Sequence, residues 1–352
     1  MKRVRLVFGL LVGIAGAIAI PVKSVSAGQI LADAHTIYVD SANGNDGNDG
    51  FPQSEAFETL GAAVAASGSG DTIVVCPGHY DVSGETAVPD GVNIVGVSES
   101  QCTISGDPGQ GYNGLLVFQG KNAISGVSII AENQGHCIQL KGSEVTNYSP
   151  SEVHIRSCYI KGDDDCIAVY PANQGNDRQR LVVEDSTIDT SVWDGITVFS
   201  APSSITCRDT VFAGSFFGVF LNSIGAHKCE VTLQGCKFDF YMTNGSQTPI
   251  KVVVSGSSAA RVFIAISDTA FNCVSGSAKH IDINSGSGSG VAWVDDAGGC
   301  NVYDPLVVQA GSGARFRRTY PFAAADELLS KHTISGSIAK AVSDILNAVT
   351  TP

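Results

Sequence analysis

Short apolar runs separated by polar turns recur along the middle of the chain. Five runs share one pattern, in which a lead residue is followed by a small residue and by apolar residues two and four places after the lead. They read "NGLLVFQ" from Asn113, "HCIQLK" from His136, "DCIAVY" from Asp165, "DGITVF" from Asp194 and "FGVFLN" from Phe217. The leads are 23, 29, 29 and 23 residues apart. The alternation predicts a short β-strand in each run.

A second series of short runs interleaves with the first at a similar period. It comprises "SII" from Ser128, "CYI" from Cys158, "STI" from Ser186, "TVF" from Thr210 and "CKF" from Cys236. Two or more strands in each repeat of about two dozen residues predict a solenoid of parallel β coils. The coils would stack at about 4.8 Å and share one core. An antiparallel sandwich is the competing all-β fold, but it does not require equivalent residues to recur in register.

The two ends of the repeat carry helical patterns. The segment "FETLGAAV" from Phe57 has apolar residues at helical spacing before the first strand and predicts an N-terminal capping helix. An apolar stripe near the C-terminus predicts an amphipathic helix, and consists of Ile338, Ala341, Val342, Ile345, Leu346 and Val349. The predicted fold is therefore all-β: a single parallel β-helix, with an N-terminal capping helix and a short C-terminal helix.

The first 27 residues have the layout of a secretory signal peptide. A basic start is followed by the apolar run 6–20 and by small residues that end at Ala27. The alternative is a membrane anchor, but the run is shorter than the ~20 residues of a spanning helix. We therefore expect cleavage after Ala27, a β-helix domain over 28–320 and a C-terminal extension over 321–352. The protein is predicted to be secreted, periplasmic or attached to the cell surface.

Charge and composition exclude several partners. The net charge is −13, and it becomes −17 once four basic residues leave with the signal peptide. Such an acidic surface repels nucleic acid and anionic membranes, so we expect neither as a partner. We also predict a monomer. It also disfavours polyanionic substrates such as pectate or alginate unless calcium or a local basic patch takes part. The 40 glycines are typical of many short strands and turns.

The ten cysteines have two interpretations. An exported chain permits disulfides, and Cys76–Cys102, Cys137–Cys166 and Cys273–Cys300 could be bridges. Alternatively, the cysteines are small apolar residues stacked in the core, since Cys137 and Cys166 occupy one register in successive coils. No CxxC pair occurs, so a structural zinc site is not expected.

Two segments near the N-terminus read "IYVDSANGNDGNDGF" and "FETLGAAVAASGSGDTIVVCPGHY". They resemble the N-terminal cap and first coil of exported members of the pectin-lyase-like right-handed parallel β-helix superfamily, and the likeness runs from about Ile37 to about Asn284. The resemblance implies a right-handed β-helix. It does not choose among hydrolases, lyases, epimerases, esterases and binding proteins, which share this fold.

Two coils resemble particular enzymes. "VHIRSCYIKGDDDCIAV" is similar to the polygalacturonase coil with G-D-D-C, which implies a hydrolase role for Asp164 and Asp165. His136 stands where that family has an acid, and Asp194 where it has a histidine. "VVEDSTIDTSVWDGITV" resembles the pectate lyase coil with D-G-x-x-D, in which Asp194 matches the first calcium ligand and Val198 replaces the second. The R-x-P-R segment that supplies the lyase base is absent.

Register then groups the candidate catalytic residues. His136, Asp165 and Asp194 lead successive coils, so they should form a ladder at about 5 Å spacing, with Asp164 beside it. Carboxyl groups this close cannot all ionise, so one pKa rises or a cation such as Ca²⁺ binds. The same alternation turns five candidate substrate-binding residues outward, namely Gln139, Thr197, Lys141, Tyr170 and Phe199.

These residue types predict a protein that acts on an extracellular polysaccharide. A carboxylic acid with a raised pKa can protonate a glycosidic oxygen while its partner activates water. In this hypothesis Asp165 and Asp194 are the pair, Asp164 assists, and His136 carries the proton or contacts substrate. No resident metal or other cofactor is required, although Ca²⁺ could bind. The alternatives are a non-catalytic glycan-binding β-helix protein and a calcium-dependent polysaccharide lyase, for which no base is apparent.

Overall fold

A computed structural model of the chain describes residues 36–109, 113–141, 151–170, 178–190, 193–199, 201–214, 216–224, 227–240, 248–254, 260–273, 281–284, 291–296, 308–310 and 314–318. In these ranges there are one α-helix, α1 (Leu60–Ala66), one 3-10 turn (Gln53–Glu55) and 28 strands. The first fourteen strands are β1 (Thr36–Val39), β2 (Thr72–Val75), β3 (Gly78–Ser83), β4 (Thr86–Val88), β5 (Asn93–Gly96), β6 (Cys102–Asp107), β7 (Gly114–Phe118), β8 (Lys121–Ser125), β9 (Ser128–Ala131), β10 (His136–Leu140), β11 (Glu152–Arg156), β12 (Tyr159–Lys161), β13 (Ile167–Val169) and β14 (Gln179–Glu184). The others are β15 (Thr187–Thr190), β16 (Ile196–Phe199), β17 (Ser203–Arg208), β18 (Val211–Gly214), β19 (Val219–Ile224), β20 (Lys228–Gln234), β21 (Lys237–Phe240), β22 (Ile250–Val254), β23 (Arg261–Ser267), β24 (Ala270–Cys273), β25 (Ile281–Asn284), β26 (Val291–Asp296), β27 (Val308–Ala310) and β28 (Ala314–Arg318).

Three parallel sheets run along the molecule. The eleven-stranded sheet has the order β1-β2-β5-β8-β11-β14-β17-β20-β23-β26-β28, the eight-stranded sheet β24-β21-β18-β15-β12-β9-β6-β3, and the nine-stranded sheet β27-β25-β22-β19-β16-β13-β10-β7-β4. Each coil contributes one strand to each sheet in turn, and the crossovers are right-handed, as nearly all parallel crossovers are. The predicted right-handed parallel β-helix is confirmed.

The helix α1 closes the N-terminal end of the solenoid. The side chain of Thr59 accepts a hydrogen bond from the amide of Ala62 (3.2 Å), which satisfies one of the free amides of the first turn. Leu60, Ala63 and Val64 are buried where the helix packs against β1, β3 and β4. The predicted capping helix is therefore present, beginning a few residues after Phe57. The predicted signal peptide and C-terminal helix lie outside the described residues.

The corner between the eleven-stranded and eight-stranded sheets uses one left-handed residue in each coil. Register-equivalent residues with positive φ occupy this corner in six successive coils: Gly126, Ser157, Asp185, Asp209, Gly235 and Asp268. A single residue in this conformation turns the chain sharply, and glycine and short polar residues adopt it most readily. This explains why a polar or glycine residue recurs just before the second series of apolar runs.

Small residues that follow each corner stack inside the solenoid. The row consists of Val127, Cys158, Ser186, Thr210, Cys236 and Thr269, all of them buried. The predicted register of Cys158 with Ser186, Thr210 and Cys236 is confirmed. In the first of these coils Val127, and not Ser128, is the equivalent residue.

The cysteine thiols that the structure describes lie in the core without bridges. Four of the paired candidates are free and buried, namely Cys76, Cys102, Cys137 and Cys166. The structure therefore has thiols at two of the three candidate disulfides. The side chains of the third pair, Cys273 and Cys300, lie outside the described part of the chain. The thiols donate to backbone carbonyls, for example Cys137 Sγ to Lys161 O at 2.9 Å. Cys137 and Cys166 are in one register, as predicted.

The core becomes aromatic toward the C-terminal coils. Phe212, Phe238 and Phe271 stack face to face, with ring centroids 4.6 and 5.0 Å apart and planes within 4° of parallel. Gly218 makes room for this ladder, because a Cβ there would come within 2.5 Å of Phe238 Cε1. Successive coils thus interlock through identical side chains at one strand spacing.

Candidate active site

The candidate residues meet at one edge of the nine-stranded sheet. His136 begins β10, and Asp165 and Asp194 lie two residues before the aligned positions Ile167 and Ile196. Because Ile138 pairs with Ile167, and Ile167 with Ile196, the three lead residues stand above one another in successive coils. Neighbouring members are thus separated by one strand spacing, about 4.8 Å at the backbone. The predicted ladder is present.

The first run of the series is displaced by one residue. His136 pairs with Gly114, so Gly114 is the lead residue of that coil, and Asn113 is not. The sequence pattern could not fix this register because every residue from Gly114 to Phe118 is buried. On the other side, Phe217 follows Asp194 in the ladder.

His136 lies at the centre of the cluster and is fully buried. Its Nε2 is 3.2 Å from the hydroxyl of Tyr170, and its Nδ1 is 3.9 Å from a carboxylate oxygen of Asp164 and 3.9 Å from one of Asp165. Burial lowers the pKa of His136 from 6.5, against the opposing effects of Asp164 and of the Asp165 backbone. The imidazole is therefore neutral at neutral pH. Its Nε2 faces the hydroxyl of Tyr170 and its Nδ1 faces the carboxyl groups of Asp164 and Asp165, so both nitrogens lie beside groups that can exchange a proton.

Asp165 and Asp194 form a buried carboxyl pair, and each residue is 4% exposed. Burial raises the pKa of Asp165 to about 8, with further contributions from Asp194 and Asp164. Burial also raises the pKa of Asp194 to about 7, although the amide of Phe217 and the hydroxyl of Thr197 favour its charged form. Thr197 Oγ1 donates to Asp194 Oδ2 at 3.3 Å. The pair consequently retains a proton at neutral pH.

Asp164 and Asp163 differ from this pair in exposure and contacts. The side chain of Asp164 is 20% exposed, which makes it the most accessible carboxyl next to His136. Asp163 accepts a hydrogen bond from the amide of Asn133 (3.2 Å) and belongs to the turn. Of the acid triplet, only Asp164 and Asp165 therefore contact the histidine.

An aromatic pair covers the histidine. Tyr170 and Phe199 stack with ring centroids 4.7 Å apart and planes 10° from parallel. The ring of His136 is tilted against both, at 6.1 and 6.4 Å. Both aromatic residues are half-buried, so this pair offers one shared aromatic surface.

The other predicted substrate-binding residues are less accessible. Gln139 and Thr197 lie on the outward row of the sheet, as the alternation predicts, but are 3% and 1% exposed. The contact of Thr197 is with Asp194. Lys141 is half-buried, and its Nζ lies 3.9 Å from Glu85 Oε2. Contact with substrate stays a prediction for Lys141, Tyr170 and Phe199.

Three donor groups of the cluster could share a divalent cation. The ligand atoms of His136, Asp164 and Asp165 all lie within 4.8 Å of one another. A set that includes imidazole nitrogen suits zinc or manganese better than calcium, which prefers oxygen ligands. Cation binding requires deprotonated carboxylates, so protons and cations compete for this cluster.

Sequence reasoning missed an aromatic group beside Asp194. Trp193 is 46% exposed and contacts Phe216, with ring centroids 5.1 Å apart. Phe216 contacts Phe217, which in turn contacts Phe220, at 5.0 and 5.1 Å. The sequence signal was a tryptophan immediately before Asp194 and two phenylalanines at the corresponding place one coil later.

A family model covers much of the solenoid. Residues 42–233, more than half of the chain, match the family described as "Protein of unknown function (DUF1565)". The chain belongs to the DUF1565 family. No protein of curated function is significantly similar to this DUF1565 protein in sequence.

Solved structures similar to this DUF1565 protein include carbohydrate-active enzymes. A rhamnogalacturonan lyase is 13% identical, with a TM-score of 0.44 over 81% of this chain and 84% of its own. Rice weevil pectin methyl esterase is 14% identical, with a TM-score of 0.42 over 75% and 85%. An alginate lyase from a Paenibacillus species is 13% identical, with a TM-score of 0.41 over 73% and 96%. Likeness at this level bears on neither substrate nor reaction, which must be argued from the side chains.

Within the described residues, no helix combines the length and apolarity needed to cross a bilayer.

Replacing Asp165 with asparagine should stabilise the protein at alkaline pH. The folded pKa of about 8 lies above the ordinary 3.8, so the folded chain binds more protons than the unfolded chain between these values. The stability of the wild type must then fall as pH rises from about 4 to about 8. Asparagine removes that loss, a gain on the order of 5 kcal/mol at pH 8 that vanishes toward pH 4.

Thermal unfolding of both proteins at pH 4, 6 and 8 measures this effect. Asp81→Asn is the matched control, because the Asp81 side chain is 89% exposed and its removal should give no such pH-dependent gain. An Asp165→Asn protein that is less stable than wild type at pH 8 would show that the carboxyl is charged and well solvated in the folded state.

Proposed function

We propose that this DUF1565 protein is an exported polysaccharide-active protein that cleaves glycosidic bonds. The observation that carries the proposal is the arrangement of the buried carboxyl groups of Asp165 and Asp194, which stand in one ladder with a histidine and beside a stacked aromatic pair. Burial raises the pKa of both carboxyl groups. Glycoside cleavage needs an acid with a raised pKa and a second carboxylate near the same bond. The basic and apolar N-terminal pattern supports export.

The geometry suggests a division of roles. Asp165 and Asp194 hold the proton, and Asp164, as the accessible carboxyl, meets the glycosidic oxygen. His136 Nδ1, 3.9 Å from both Asp164 and Asp165, passes the proton between them. Such separations commonly shorten once substrate closes the site.

The reaction then follows the general scheme of glycoside hydrolysis. The proton from Asp164 reaches the leaving-group oxygen as the bond to the anomeric carbon breaks. A water molecule supplies the new oxygen on that carbon, and its proton returns to the carboxylate pair through His136. The neutral imidazole suits this role because it can accept a proton on one nitrogen while the other remains hydrogen-bonded.

Non-catalytic glycan binding is the second candidate, and one observation favours it. Asp165 and Asp194 are only 4% exposed, so neither can contact a sugar directly without movement of the chain. In that case Tyr170, Phe199 and Lys141 would bind the glycan, and the carboxyl pair would fix the shape of the sheet edge.

A panel of neutral and acidic polysaccharides, assayed with calcium and with a chelator, separates these candidates. Hydrolysis should release reducing ends without unsaturated sugars, whether or not calcium is present. Products that absorb as unsaturated sugars would identify a lyase instead. Glycan binding with no product from any polysaccharide would reject cleavage and leave the binding function.

A further inference from the structure

A continuous aromatic surface extends from the carboxyl pair along the solenoid. We call the group of Trp193, Phe216, Phe217 and Phe220 the aromatic strip. Each ring contacts the next at 5.0 to 5.1 Å. Trp193, at one end, is 46% exposed, and the three phenylalanines are half-buried. The strip therefore presents one exposed tryptophan, continued by three partly accessible rings, as an apolar surface on which a ligand can pack.

The aromatic strip adjoins the candidate active site. Trp193 immediately precedes Asp194, and Phe217 is the coil equivalent of Asp194 in the next turn of the solenoid. Phe220 pairs with Thr197, whose hydroxyl donates to Asp194. A sugar chain that lies on the strip would therefore pass directly beside the carboxyl pair.

The strip differs from an aromatic ladder that only stabilises a sheet. Phe263 and Trp293 on the eleven-stranded sheet make such a ladder: they pair across neighbouring strands, 4.6 Å apart and 10° from parallel. The rings of the strip are instead tilted by 54° to 57° from each other. Trp193 and Phe216 occupy corresponding places in successive coils but precede β16 and β19, so they contact each other outside the paired strands.

Charge around the strip disfavours an acidic ligand. Asp164, Asp165 and Asp194 lie on its near side, and Lys251 follows Phe220 on the outward row. The amine of Lys251 is already paired with Asp282, and that of Lys141 lies 3.9 Å from Glu85. At this sheet face, every lysine with a described side chain thus has an acidic neighbour. A polyuronate would meet carboxylates and no unpaired amine there.

We infer that the aromatic strip binds uncharged sugar rings, so that the ligand is a neutral polysaccharide and not a polyuronate. The inference rests on the proposed function and names its substrate class. Pyranose rings present flat C–H faces, which pack on aromatic rings without any need for opposite charge. Trp193 supplies the largest and most exposed of these faces. Asp164, which receives its proton from the carboxyl pair in the proposed function, then meets the glycosidic bond of the same chain.

Binding to the Asp165→Asn protein tests this, since the substitution should slow turnover enough for binding to be measured. Affinity electrophoresis with soluble β-glucan, mannan and arabinoxylan, and with polygalacturonate and alginate, compares the two classes. At least one neutral glycan should bind, and the two polyuronates should not. Introducing Trp193→Ala into the Asp165→Asn protein should weaken that binding at least tenfold. Introducing Phe263→Ala, which removes one ring of the Phe263–Trp293 pair, should leave the binding unchanged.

Fluorescence provides a second measurement that uses the two tryptophans of the chain. A bound glycan should change the emission of the parent protein and of a Trp293→Phe variant, but not that of Trp193→Phe. The conservative Trp193→Phe substitution at an exposed position should leave the melting temperature within about 2 °C of the parent, so loss of the signal would not reflect unfolding.

Several outcomes would overturn the inference: polyuronate binding as tight as that of any neutral glycan, no neutral glycan bound, or binding unaffected by Trp193→Ala. If the wild type cleaves a polysaccharide and this cleavage does not depend on Trp193, the proposed function stands and the strip is not the sugar-binding surface. If binding requires Trp193 but the wild type forms no product, the strip is the binding surface and cleavage is rejected.

Discussion

Replacing Asp165 with asparagine should lower the rate of glycoside cleavage by about 10²–10⁴-fold, the usual contribution of a positioned acid or base. The substitution keeps the shape of the side chain but removes the proton that burial retains on it at neutral pH. The effect should appear in kcat more than in KM, because this buried side chain does not contact the bound sugar. Initial rates of reducing-end release measure it.

The pH profile separates a proton-holding role from a structural one. Wild-type activity should decline as pH rises through about 8, because Asp165 then loses its proton. The residual activity of Asp165→Asn should lack that decline. Asp163→Asn is the matched control, since this neighbouring turn residue should retain wild-type activity. An Asp165→Asn enzyme with the wild-type rate would contradict the assignment.

Replacing Phe238 with alanine should reduce the free energy of unfolding by about 3–5 kcal/mol. Phe238 is fully buried and stacks on Phe212 on one side and on Phe271 on the other, so its removal leaves a cavity between two coils. Because each coil contacts only its neighbours, the remaining rings cannot move together to close the gap without breaking strand pairing.

Denaturant unfolding followed by circular dichroism measures this loss. Phe263→Ala is the control: Phe263 is 38% exposed and stacks on a single partner, so its removal should cost only about 1 kcal/mol. If Phe238→Ala cost no more than Phe263→Ala, the ladder would not be a principal source of stability in this part of the solenoid.

Repetition made most of the fold predictable from the sequence. Pattern and spacing sufficed for the parallel coils, the capping helix and the common register of His136, Asp165 and Asp194, because side-chain alternation and coil period are local properties. The predicted register was wrong in one run, where alternation between apolar and polar residues is missing. In the run that begins at Gly114 all positions are buried, and a one-residue shift leaves the apolar pattern intact.

The candidate site was predictable in its membership but not in its burial. Alternation correctly placed Gln139 and Thr197 on the outward row, yet both are closed to solvent. Alternation distinguishes the inside of a coil from its outside, but it cannot tell whether the outside is covered. The aromatic strip was missed for a related reason: Trp193 and Phe216 lie before the strands, where period-two alternation makes no prediction.

Burial protects three of the described core thiols from oxidation and alkylation. Burial raises the pKa of the Cys137 thiol to about 12 and those of Cys158 and Cys236 to about 11, so the reactive thiolate is scarce at any physiological pH. Oxidants and alkylating reagents therefore reach these three thiols only when a coil opens, so their rate of modification reports local opening of the solenoid.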